Sequence, residues 1–314
     1  MLFRSLNEVE LNPGNAAKCQ ALQPPIVATG TGCGQYGEDT IYYSASDPNQ
    51  IVALGTRPYS VTSGRGLALD PPQLDFQSNP WEATEANSSY DALQASVQKD
   101  VGRFRFLGAY TWSKSIDNSS GFYDEPNPYN PRASRALSTF DLTHNFVLSY
   151  SYDLPFSKAA HGFLGKLLSG WTVAGITRFA TGFPVTLSES DDASLCGCGG
   201  ADVPNYNGQP IHFLDIRKTG QWFDVSPFSQ EALGVFGNSN RRFFHGPGIN
   251  NWDFSLHKST PVTEKTNLEF RAEFFNVFNH AQFSGVSGDI LGSFGSVTSA
   301  RAPRIGQLAM KISF

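Results

Sequence analysis

The residues of this chain whose types and spacing could do chemistry are four cysteines, six histidines, a pair of adjacent arginines and one alternating run of charges. Cys19 with Cys33, and Cys196 with Cys198, fall as two close pairs in Gly-rich stretches. A thiolate zinc site needs further ligands at short spacing, and no His stands near either pair. Local disulfides of an oxidising compartment suit such loops better. Cys19 and Cys33 close an easy loop and are the candidate disulfide, whereas Cys196-Gly197-Cys198 could close only a strained ring. His144, His161, His212, His245, His257 and His280 show no paired spacing for a metal. Ser, His and Asp occur together only as scattered residues, without the Gly-x-Ser-x-Gly of a nucleophile elbow. No phosphate-cradling glycine loop or dinucleotide fingerprint occurs. Asn87-Ser88-Ser89 and Asn118-Ser119-Ser120 match a glycosylation pattern that arises by chance as easily as by purpose. Arg241-Arg242, beside Phe243, read as a basic spot on a solvated loop face. The expectation is therefore a protein that is not an enzyme and carries no cofactor and no metal. The alternating charges Glu269, Arg271 and Glu273 remain. On a strand they share one face, where they can pair as a structural wall network or touch a ligand.

Composition narrows the class that must position these residues. Charged side chains are 16% of the 314 residues, below the roughly 25% of ordinary soluble domains, while aromatics are 13%. So much apolar area argues against disorder. The net charge of −5 argues against nucleic acid as a partner, because phosphate binding needs a basic surface. No apolar run approaches the roughly 18 residues of a membrane-spanning helix, but a β-barrel hides its apolar residues at every second position. Met1-Leu2-Phe3-Arg4-Ser5 lacks the parts of a secretion signal. Either the protein is cytoplasmic or the chain is a piece of a longer one.

The dominant period is two. From Asp141 to Leu154 the even positions read Leu142, His144, Phe146, Leu148, Tyr150, Tyr152 and Leu154; the odd positions are polar except Val147. A strand places those sets on opposite faces. The same alternation predicts strands over Tyr90–Lys99, Phe104–Ser115, Trp171–Thr181, Trp252–Lys258, Thr266–Phe278 and Leu308–Phe314. A soluble β-sandwich also alternates. Three features favour a membrane barrel. Several strands match the roughly 9–11 residues needed to cross a bilayer at a tilt. Short links at 100–103 and 259–265 and a medium one at 155–170 alternate with long ones at about 116–140, 182–251 and 279–303, as periplasmic turns alternate with external loops. Large aromatics stand at strand ends: Trp112 and Trp252 at the outer end, Tyr150, Tyr152 and Trp171 at the periplasmic end, as two aromatic girdles require. The last strand runs inward, so the first does too, and residues 1–89 become an external loop region ahead of a barrel portion at 90–314. The expected fold class is all-β: an antiparallel transmembrane β-barrel segment of seven strands, an open partial barrel with long external loops.

Ordered motifs along the chain carry a resemblance. Leu93-Gln94-Ala95-Ser96-Val97, Tyr110-Thr111-Trp112-Ser113-Lys114-Ser115-Ile116-Asp117, Asn127-Pro128-Tyr129-Asn130-Pro131-Arg132 and Phe140-Asp141-Leu142-Thr143-His144-Asn145-Phe146 are four of them. Gly170-Trp171, Gly182-Phe183-Pro184, Gly246-Pro247-Gly248-Ile249-Asn250-Asn251-Trp252-Asp253-Phe254-Ser255 and Phe270 to His280 (FRAEFFNVFNH) continue the series to Thr298-Ser299-Ala300-Arg301. These resemble the barrel of TonB-dependent outer-membrane receptors of the Oar-like, carboxypeptidase-regulatory-domain type. The resemblance implies a barrel of 22 strands with a plug inside it, of which this chain would supply the C-terminal portion. It implies ligand uptake across the outer membrane of a Gram-negative bacterium, with outer-membrane lipid, the barrel-assembly machinery and, through a missing N-terminal part, the TonB system as partners. The alternative is a surface barrel for adhesion or structure. Leu308, Met310, Ile312 and Phe314 resemble the terminal signal by which outer-membrane proteins are recognised for insertion.

Overall fold

The computed structural model describes residues 86–314 apart from 122–123, 125–126, 128–129, 157–161, 192, 195–201 and 233. Before residue 86 it describes the backbone of five short strands. Of these, β1 (Asn7–Glu10) pairs with β5 (Pro80–Ala83), and β2 (Ile26–Ala28), β3 (Ile41–Ser44) and β4 (Ile51–Leu54) form a small sheet. All four cysteines lie outside the described residues, so the expected disulfide does too.

Period-two sequence becomes long strand. In chain order these are β6 (Ser88–Lys99), β7 (Phe104–Asp117), the short β8 (Ala136–Leu137), β9 (His144–Asp153) and, after helix α1 (Gly162–Leu168), β10 (Trp171–Ala180). Next come β11 (Asn205–Tyr206), helix α2 (Ile216–Thr219) and β12 (Phe228–Ser229). β13 (Ile249–Pro261), β14 (Asn267–Phe275), β15 (Phe283–Val286), β16 (Val297–Ala300) and β17 (Ile305–Ser313) complete the chain. The seven long strands pair antiparallel in the order β6-β7-β9-β10-β13-β14-β17, with β8 added beside the end of β7. Neighbours in the sheet are neighbours in sequence, so the arc is a meander. Among the described residues neither β6 nor β17 has a second partner, and the arc is open.

Register assigns the two faces, because directly opposed residues point the same way. Val97, Gly108, Leu148, Thr177, Trp252 and neighbours such as Phe254, Phe274 and Leu308 share one face. Gln98, Arg105, Ser151, Asp153, Ser255, Glu269, Arg271 and Glu273 share the other. The β6–β7 turn is tight because Gly102 takes a positive φ of 84°, which a side chain would disfavour.

The strand limits differ from expectation where side chains are diverted. β9 starts at His144 rather than Asp141, because Asp141 Oδ1 accepts the Ser115 backbone N–H at 2.6 Å and ends the ladder there. β14 ends at Phe275 rather than Phe278, because Asn276 adopts a left-handed φ of 50° and turns the chain. β6 begins two residues early, and β13 reaches from Ile249 to Pro261 because its pairing with β10 continues past Trp252 to Ile249.

The long links are more than loops. The described parts of segments 182–248 and 279–303 fold into a cap around Val185, Leu187, Phe223, Phe228 and Phe244, with Trp222, Val286 and Phe294 packed against them. Ring pairs such as Phe223–Phe244, 4.9 Å between centroids and steeply tilted, have the edge-to-face geometry aromatics favour. This buried apolar cluster sits outside the barrel wall, on the side of the long loops.

Candidate functional site: membrane face, polar face and cap

The apolar face is a band of large side chains set across strands. Phe146 stacks on Phe179 at 6.3 Å, Phe179 meets Trp252 edge-on at 5.7 Å, and Trp252 meets Phe278 at 5.8 Å. Trp112 stands opposite His144 at the same end, toward the cap. At the far end Tyr152 meets Phe104 edge-on at 6.4 Å. Trp171 there donates from Nε1 to the Leu167 carbonyl at 3.0 Å and lies 5.5 Å from the Lys258 ammonium. Tyr150 sits one pleat inside that end, its ring laid over Gly175, where a Cβ would stand 2.5 Å from the Tyr150 hydroxyl. Trp112 thus stands at the cap end, with the Trp252 ring reaching toward it through Phe179, Tyr152 and Trp171 stand at the opposite end, and Tyr150 covers a glycine between them.

The opposite face is a connected polar surface. Arg105 Nη2 donates to both carboxylate oxygens of Asp153, at 3.2 and 3.0 Å, and Thr172 Oγ1 donates to the same carboxylate at 2.8 Å. Arg178 Nε donates to Asn145 at 3.2 Å. The charged triplet lies here: Arg271 pairs with Glu269 at 2.6 Å, and Glu273 accepts from Gln307 on β17. A trough of about 460 Å³ runs over this face, with Arg105, Leu107, Ser151, Ile176, Asp253 and Glu273 among its walls.

In the cap, Arg241 and Arg242 are 2% and 1% exposed. The expected solvated basic spot is instead a buried ion-pair knot. Arg241 Nη2 reaches Asp117 at 2.5 Å and its Nη1 bonds Asp124; Arg242 Nη2 reaches Asp124 at 2.6 Å. Carbonyls of Ser134 and Leu137 accept their Nε atoms at 2.9 and 2.8 Å. Buried guanidinium groups persist only when fully paired, and here four segments converge to pair them. Sequence signals for this existed: two adjacent arginines ahead of Phe243-Phe244, and Asp117 ahead of Asn118-Ser119-Ser120. Their meeting was not legible, because about 120 residues separate the partners.

The rim motifs work the same way. Asp141 Oδ2 holds His245 at 2.8 Å. Asn250 donates its N–H to Gln282 Oε1 at 2.8 Å, and the Asn276 side chain bonds both N–H and carbonyl of His280 at 3.0 Å. These residues stitch strand ends to cap rather than presenting a reactive group. Among the described residues no cluster of His, Cys, Asp or Glu has metal-binding geometry. No described helix is long and apolar enough to cross a membrane, which says nothing of strands.

A family profile described as an outer membrane beta barrel domain matches residues 18–307. The chain belongs to that family. The localisation is therefore the outer membrane, and the apolar band is the surface that meets lipid. No curated protein and no solved structure matches this barrel chain.

Proposed function

We propose that this barrel arc is part of the wall of a TonB-dependent, Oar-like receptor that imports a ligand across the outer membrane, and that it performs no catalysis. The observation that carries the proposal is the polar face opposite the lipid, with its ion pairs Arg105–Asp153 and Arg271–Glu269, in a sheet whose two edges have no partner among the described residues. Free N–H and C=O groups cannot remain unpaired in hydrocarbon. An arc of seven strands therefore needs a partner at each edge, which in this reading the rest of the receptor wall supplies. Glu269, Arg271 and Glu273 then form a pairing network on the lumen wall, and the trough around Arg105 and Asp253 is the surface a plug or passing ligand touches. Trp112 and Trp252 anchor the outer rim, Tyr152 and Trp171 the inner one. The motif resemblance supports the TonB assignment, and the folded cap supports ligand capture at the outer surface.

The test is photo-crosslinking in cells between the protein, expressed from its own gene, and TonB. It is paired with uptake of labelled cobalamin, ferric siderophores and oligosaccharides in strains lacking either partner. TonB crosslinks, with uptake of one probe lost in both deletions, are the expected outcome. Absence of crosslinks, with uptake of every probe unchanged, would favour an adhesive or structural surface barrel.

A further inference from the structure

Where the cap leans over the outer end of the apolar face, a groove of about 770 Å³ opens. Its floor is sheet: Tyr110, Phe146 and Phe179, which the register places together on the lipid side. Its roof is cap: Phe213, Trp222 and Phe244. Phe213 lies against Trp222 at 5.0 Å and against Phe244 at 6.2 Å, so the roof is a continuous set of rings. The size falls within the roughly 300–1,000 Å³ of sites that bury a small molecule.

Polar groups at the groove are already engaged. Tyr110 Oη and His144 Nδ1 share a hydrogen bond of 2.8 Å, Trp222 Nε1 donates to the His245 carbonyl at 2.8 Å, and the His245 ring holds Asp141. Little is left to hydrogen-bond water, and an apolar concavity without polar partners does not hold water well. The groove also lies on the face away from the polar trough, so a ligand moving through the lumen does not reach it. It is continuous with the lipid-facing band, and hydrocarbon is the medium already touching its mouth.

We propose that this groove seats one fatty acyl chain of an outer-leaflet lipid, clamping the cap to the membrane surface. The chain lies between the Phe146–Phe179 floor and the Phe213–Trp222 roof, its headgroup outside. The proposal rests on the membrane face alone and stands whether or not the barrel transports anything.

Trp222 is the reporter. The membrane-inserted protein and its Trp222→Phe variant are reconstituted in bilayers of phosphatidylcholine brominated on the acyl chains, and the difference between their emissions isolates Trp222. Bromine quenches an indole only at contact range, so an occupied groove removes most of the Trp222 signal although that residue belongs to the cap. Phe213→Glu places a charge at the exposed roof, where only the edge contact with Phe244 reaches the cap's buried cluster, and should restore the signal. Quenching of Trp222 by aqueous iodide but not by brominated chains would show a water-filled groove and overturn the proposal. Protection from both quenchers would show that protein fills it, with the same consequence. Brominated-chain quenching that persists in Phe213→Glu would place the contact outside the groove and also overturn it.

Discussion

Arg242 is buried with its charge matched by Asp124, so its removal is felt through the partner left behind. Loss of one member of a buried pair costs about 3–5 kcal/mol, whereas apolar or neutral replacement of both is often tolerated. Arg242→Met should therefore open the cap to protease, and Arg242→Met with Asp124→Asn should recover part of the resistance. Limited proteolysis of the membrane-inserted protein reads both. Equal fragility of the single and double variants would show that the knot contributes shape rather than charge pairing. Burial pushes the Asp124 carboxyl upward, but hydrogen bonding and charge from Arg242 and Arg241 outweigh it and hold the group below its usual 3.8. Its contribution is present above that value and is lost as pH falls through the lowered one.

Glu189 titrates with the opposite sign. It is fully buried, Gln230 donates to one of its oxygens at 2.6 Å, and its other oxygen and both of Glu231 meet no donor among the described residues. Burial first, then the adjacent Glu231 and Asp191 carboxyls, push Glu189 up to about 9, and burial likewise raises Glu231. The folded cap therefore binds protons that the unfolded chain releases above its usual value of 4.5. The contribution is fully present below that value and is lost as pH rises toward 9. The cap's protease resistance should fall between neutral pH and pH 9, and Glu189→Gln should flatten that decline. A decline of the same steepness in the variant would remove the carboxyl pair as its cause.

At the scale of the strand, β9 presents Leu148 to the lipid between Gly108 and Thr177, while Ser149 faces the polar side between Leu107 and Ile176. A charge at the bilayer midplane costs about 2–4 kcal/mol, and lumen positions tolerate change. Leu148→Arg should lower the denaturant midpoint of the folded, heat-modifiable form by an amount of that order, and Ser149→Arg by much less. Equal sensitivity would mean that both faces are packed as in a sandwich core. The same strand explains Gly175. Tyr150 crosses β10 at that position and leaves no room for a Cβ, so the small residue and the large one are a single packing unit.

At the scale of the molecule, the described long strands form a wall with open ends. β17 pairs with β14 on one side, from Ile305 opposite Phe275 to Ser313 opposite Asn267, and its other side has no partner among the described residues. Leu308, Met310 and Ile312 stand exposed on the apolar face, and Phe314 is fully exposed. An edge strand of this kind is a template for pairing, which is what an assembly machine can hold until closure. Deleting Phe314 in the protein expressed from its own gene should leave unassembled protein in the periplasm and reduce the heat-modifiable form in outer-membrane fractions. An unchanged yield would separate the terminal aromatic from recognition.

Alternation by itself determined most of this wall. Once Phe146, Leu148, Tyr150 and Tyr152 alternate with Asn145, Ser149, Ser151 and Asp153, only a strand can separate the two sets, and the shorter links pair β6 with β7, β9 with β10 and β13 with β14. Seven strands and their two faces follow from the local pattern, while the pairings of β7 with β9, β10 with β13 and β14 with β17 bridge long links. The ends of strands did not follow, because Asp141 and Asn276 stop their ladders with side-chain bonds to residues far away or with a left-handed turn. The cap was illegible for the same reason. Its apolar residues have no fixed period, and Arg241 and Arg242 look like solvent-facing charges until Asp117 and Asp124 are brought from about 120 residues away. Which rings floor and roof the outer groove was likewise decided only when the long links folded back over the sheet. A period is written in the chain; a contact across a hundred residues exists only once packing has excluded the water between its partners.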